Sequence, residues 1–125
     1  MAQLEYQPVV LSNAGFATGR PEWEQVRRGD YHADELPATA PALVLWVEGF
    51  WVEQGDRVRF ELSGPDGAPI VDRTLDLEKG WRRWFQFMGD KRPGERWPAG
   101  TYTGEVTLER AGTEPVTIRR TVELR

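Results

Sequence analysis

The chain of 125 residues contains no cysteine and a single histidine, His32. The first absence excludes disulfides, thiolate metal sites and cysteine nucleophiles. The second excludes the usual hydrolytic zinc centre, whose three protein ligands are mostly histidines. His32 stands near Tyr31 and Asp34 in a polar stretch and reads as a solvated loop residue. Ser12 and Ser63 lie in no nucleophile motif, Ser63 falling in the hairpin-like "LSGPDG". Glycine-rich phosphate loops are missing, and "DGAPIVD" lacks the alternating spacing of a calcium loop. No local pattern singles out two of the 20 acidic residues as a glycosidase pair. The expectation is therefore a protein that is not an enzyme, with no cofactor and no metal.

Long hydrophobic runs are also lacking. Nothing approaches the roughly 20 apolar residues of a membrane helix, so no membrane insertion is expected. The opening "MAQLEYQPVV" has no basic flank leading into an apolar stretch, and so no signal-peptide pattern. A net charge of −4 argues against general nucleic-acid binding.

The chain does have strand periodicity. "RVRFEL" turns Val58, Phe60 and Leu62 one way and Arg57, Arg59 and Glu61 the other. "GTYTGEVTLER" does the same with Tyr102, Val106 and Leu108, and "VTIRRTVELR" with Val116, Ile118, Val122 and Leu124. Arg120 falls on the apolar parity of the last run, which predicts a bulge or strand end there. "ALVLWVEGFWV" (42–52) is apolar at nearly every position, as a central strand covered on both faces would be. "SGPDGAP" and "AGTEP" suit hairpins, and the longer "MGDKRPGERWPAG" suits a connection between two sheets.

The N-terminal third is less patterned. "YQPVVL" reads as an edge strand that tolerates Pro8, "RPEWEQVRRGD" fits a helical turn or a strand equally, and "ADELPATAP" reads as a linker loop. Together these signals predict an all-β, immunoglobulin-like antiparallel β-sandwich of about seven strands, with a small β-barrel as the alternative. Residues 1–20 form an N-terminal segment or edge strand, and residues 21–125 one domain.

One stretch stands apart in chemistry. Between Lys79 and Pro98 the chain carries a net +4, leaving −8 for the remainder, and this island holds Trp81, Trp84 and Trp97. The candidate binding residues are Trp81, Arg82, Arg83, Trp84, Lys91, Arg92 and Trp97. Flat indole faces stack on sugars, and arginine forks pair with carboxylates. The competing reading is structural. Large aromatics stabilise by burial, so most of the six tryptophans, Trp46 and Trp51 foremost, are expected in the core. In "WRRWFQF" that reading makes Phe85 and Phe87 the core pair and leaves only Trp84 and its flanking arginines for binding.

From Trp23 onward, "EWEQVRRGDY", "LPATAPALVLWVEGFWVEQGDRVRFELSGPDG" and "RRWFQFMGDKRPGERWPAGTYTGEVTLER" resemble, in order and spacing, the immunoglobulin-like accessory domain found beside the catalytic domain of bacterial lysostaphin-type zinc metallopeptidases. That resemblance implies a non-catalytic accessory or targeting module for peptidoglycan hydrolysis. It would be periplasmic or extracellular, with peptidoglycan or a peptidase catalytic domain as its partner. It does not bring an active site, because the His-x-His pair of those peptidases is absent. The alternative is a free-standing carbohydrate- or protein-binding β-domain with no peptidase connection.

Overall fold

A computed structural model describes residues 8–19 and 35–125. The helix-or-strand question over residues 20–30 and the loop reading of His32 lie outside the described residues. The elements are β1 (Val10–Ala17), β2 (Glu35–Leu36), β3 (Ala42–Val52), β4 (Arg57–Ser63), β5 (Pro69–Asp76), β6 (Trp81–Lys91), β7 (Gly100–Glu109) and β8 (Val116–Leu124). They form a three-stranded sheet in the order β1-β3-β6 and a five-stranded sheet in the order β2-β8-β7-β4-β5. The two sheets face each other as a β-sandwich and do not close into the alternative barrel.

Eight strands among the described residues are close to the expected seven or so, and the departures from the sequence reading fall where the residues are least periodic. β2 lies inside the stretch read as a linker loop, and it pairs with β8 in parallel, the one departure from antiparallel pairing among the described residues. β1 extends past "YQPVVL" through Ala17 and forms one edge of the smaller sheet. The expected bulge at Arg120 is absent. β8 keeps an unbroken register with β7, Arg120 opposite Gly104, and the arginine side chain stays in solvent. Its place on the apolar parity is tolerated because β8 is only half-buried or exposed from Val116 to Thr121.

The core follows the alternation read from the sequence. Val58, Phe60 and Leu62 on β4 and Tyr102, Val106 and Leu108 on β7 face inward and are fully buried. Each such side chain contributes roughly 1.5–3 kcal/mol. β3 is the central strand of its sheet and is buried on both faces. Leu43, Leu45 and Val47 enter the core between the sheets, while Val44 and Trp46 join a second cluster with Ala17 on the outer side. Both hairpins close at the expected turns, and the 88–100 stretch carries the chain from one sheet to the other.

β6 reverses the expected assignment of its aromatics. Its register sets Trp84 opposite Gly49 and Phe87 opposite Trp46. Trp84 therefore belongs to the main core at 6% exposure, and Phe85 and Phe87 pack half-buried against the outer cluster. Gly49 makes this possible, since a Cβ there would sit 3.2 Å from the Trp84 ring. The opposite residue, rather than the polarity of the neighbours along the strand, decides which face of β6 is inward.

The loops at one end are tied by a buried ion pair. Arg110, just past β7, donates from Nε and Nη2 to the two Asp56 carboxylate oxygens, both at 2.7 Å. Asp56 also accepts the Glu53 amide at 2.8 Å, closing the β3–β4 turn. Its backbone amide and carbonyl bond to Glu53 and Leu77, which brings in the β5–β6 connection. Removing one partner of a buried pair leaves the other desolvated and costs about 3–5 kcal/mol. Asp56→Ala should lower unfolding stability by that amount in denaturant titration, and Asp56→Leu combined with Arg110→Met by much less. A loss under about 1 kcal/mol for Asp56→Ala would mean that Arg110 escapes to solvent.

Candidate functional site

The aromatic and basic residues that lie together in sequence are separated by the fold. Lys79, Trp81, Arg82 and Arg83 gather at the start of β6, whereas Lys91, Arg92 and Trp97 fall at its far end. Even their nearest members, Arg83 and Lys91, are eight strand steps of about 3.3 Å apart, roughly 26 Å. They cannot form one patch.

At the far end, Trp97 is 4% exposed and donates its Nε1 proton to the Ala40 carbonyl at 3.0 Å. Arg92 donates to the Gly94 and Thr39 carbonyls, both at 2.7 Å, and so braces the β6–β7 connection. Trp97 and Trp84 thus pack the core and do not join the exposed basic surface, while Arg92 holds a loop. Lys91 is exposed, and among the described residues the exposed tryptophans, Trp51 and Trp81, lie at the other end of the strand.

The near end differs. Trp81 is 47% exposed and Trp51 is 36% exposed, the latter against the expectation that it would be core. Three cations lie over three rings: Lys79 Nζ is 4.3 Å from the Trp81 ring centre, Arg82 is 5.3 Å from Trp51, and Arg83 is 5.5 Å from Phe50. Phe50 lies opposite Arg83 and Val52 opposite Trp81 in the β3–β6 register, with Trp51 and Arg82 between those pairs, so the cluster sits at the ribbon's tip.

The exposure of Trp51 has a local cause. It is the one non-glycine residue with positive φ among those described, at 62°. A left-handed backbone costs an L-residue about 1–2 kcal/mol, so other contacts must hold it there. Arg110 Nη2 supplies one by donating to the Trp51 carbonyl at 3.0 Å. Val52 then returns to the core while the Trp51 ring stays outside. Nothing in the sequence signalled this left-handed position within β3, which holds neither glycine nor asparagine.

A second concavity, about 660 Å³, lies on the outer face of the five-stranded sheet. Both of its arginines are already engaged by carboxylates across the strands. Arg59 forms a forked pair with Asp72, both contacts at 3.0 Å, and Arg57 meets Asp76 at 3.0 Å. The hydrogen bond from Arg59 holds the Asp72 carboxyl below the usual carboxylate range. This face is a solvated ladder of cross-strand pairs, and the ribbon tip is the better candidate. Among the described residues no group of three or more potential metal ligands comes together.

No known protein family matches the chain, and no curated protein does. Among solved structures, the chain resembles part of a Parabacteroides merdae β-glucuronidase, with a TM-score of 0.56 over 94% of this chain at 14% identity. The match spans only 14% of that longer protein. At this identity the likeness establishes the sandwich fold and nothing about chemistry.

If the left-handed backbone at residue 51 is strained, glycine should relieve it. Trp51→Gly is expected to be more stable than Trp51→Ala by about 1 kcal/mol, the reverse of the usual order within a strand. Chemical denaturation of the two variants measures this directly, and an alanine variant as stable as the glycine variant would remove the strain.

Proposed function

We propose that this chain is a non-catalytic accessory module that holds an acidic cell-wall glycopeptide at the tip of the β3–β6 ribbon. The observation carrying this reading is Trp51, an exposed indole kept in a costly backbone conformation beside Trp81 and the cations Lys79, Arg82 and Arg83. Strained residues that persist because their surroundings hold them cluster at functional sites. Exposed indoles offer stacking faces for sugar rings, and arginine pairs with carboxylates. Peptidoglycan presents both partners, and the resemblance to accessory domains of lysostaphin-type peptidases supports the same ligand. The fold likeness is compatible with this reading, since the match falls on one part of a longer β-glucuronidase chain.

Sedimentation with purified peptidoglycan tests the proposal. The chain should be retained at low ionic strength and released as salt screens the cations. Trp81→Ala combined with Arg82→Ala should abolish retention with an unchanged circular dichroism spectrum, both side chains being exposed. Absence of retention at low salt would overturn direct wall binding. Retention unaffected by the double variant would move the contact away from the ribbon tip.

A further inference from the structure

The opposite end of the sandwich carries an apolar groove of about 300 Å³ between the β4–β5 hairpin and the close of the β6–β7 connection. Pro65, Ile70, Pro98 and Ala99 wall it, over a floor of buried Tyr102 and Trp97. The polar atoms of the floor are already engaged, because the Tyr102 hydroxyl donates to the Pro98 carbonyl at 2.6 Å and Trp97 Nε1 to that of Ala40. The floor therefore offers a ligand only apolar surface. Gly100, with φ of 143°, packs where a Cβ would stand 2.7 Å from Pro65. The two walls meet there, so the groove is preformed.

Asp66 is the one charged residue lining this groove. Its Oδ1 accepts the Ala68 amide at 3.0 Å, which fixes the carboxylate at the rim. No basic side chain pairs with it among the described residues, whereas Asp72 and Asp76 on the sheet face are each met by an arginine. Its field reaches the floor: burial first, and then the Asp66 charge, pushes the Tyr102 hydroxyl above the usual tyrosine range.

The geometry points to a binding groove for a lysine or arginine side chain presented on an extended segment of a partner protein. Apolar walls accept the methylene stem while the rim carboxylate meets the charged head. The exposed Asp66 carboxylate adds attraction only for a cationic head, which a neutral apolar side chain does not use, and an acidic one would be repelled. The volume lies at the small end of the roughly 300–1,000 Å³ typical of ligand pockets, which suits one long side chain. This site is independent of the ribbon tip and of the ligand proposed there.

Amide-resolved NMR titration of the whole chain tests it with three probes: N-acetyl-arginine amide, its neutral isostere N-acetyl-citrulline amide, and N-acetyl-leucine amide. The arginine probe should shift the Gly64, Gly67, Ala68 and Ala99 signals saturably. Citrulline and leucine should bind at least about tenfold more weakly, a difference of about 1.4 kcal/mol. Asp66→Asn retains an Oδ1 acceptor for Ala68 and should erase that preference without disturbing the hairpin. Equal response to the neutral probes, an unchanged preference in Asp66→Asn, or no response to the arginine probe overturns the proposal. Shifts that grow with protein concentration and no probe would give the groove to a second copy and overturn it as well.

Discussion

The arrangement at the ribbon tip depends on the buried pair between Arg110 and Asp56. Taking both ions out of water is costly, and their attraction returns that cost only when the remaining donors and acceptors are satisfied. Here they are, because Asp56 also accepts the Glu53 amide and Arg110 also donates to the Trp51 carbonyl. A leucine–methionine pair of similar bulk could fill the same space, but it would have no donor for the Trp51 carbonyl and no acceptor for the Glu53 amide. The pair therefore specifies a turn geometry more than it adds stability. That geometry sends Val52 into the core and keeps Trp51 out of it.

Strands with one wet face were legible in the sequence because alternation alone fixes which side is buried. β4 and β7 match their expected faces residue by residue, as does the two-sided burial of β3. β6 was not legible in this way. It carries aromatics on both parities, and polarity along the strand favoured Phe85 and Phe87 as core. The deciding signal lay in another strand, where Gly49 vacates the space that Trp84 fills. A glycine within an otherwise bulky apolar strand is such a signal, but it becomes usable only once the pairing register is known.

The candidate site shows a different limit. Residues 79–98 look like one basic aromatic patch because they are close along the chain. A strand of 11 residues converts that closeness into separation, placing Arg82 and Arg92 at opposite ends of the molecule. Trp81, Arg82 and Arg83 remain at the candidate surface, while Trp84 and Trp97 are absorbed by the core and Arg92 by its loop. What completes the surface, Phe50 and Trp51, comes from β3, a strand whose composition promised only burial. The exposed Trp51 goes with a single left-handed residue within the strand, and no side-chain pattern encoded it.

β7 links the two ends of the domain. It is the middle strand of the larger sheet, with Tyr102 near its start and Arg110 immediately after its end. Tyr102 fastens the β6–β7 connection through the Pro98 carbonyl, the tyrosine-corner contact of immunoglobulin-like sandwiches. Arg110 fastens the β3–β4 turn through Asp56. Between them lie Val106 and Leu108, fully buried and paired on both sides in unshifted register with β4 and β8. A strand held in this way fixes the position of each end relative to the core but has no second arrangement to pass between them. The two ends at which the tip and the groove lie are thus built on one common strand, and nothing in that strand's register offers a second state that would couple them.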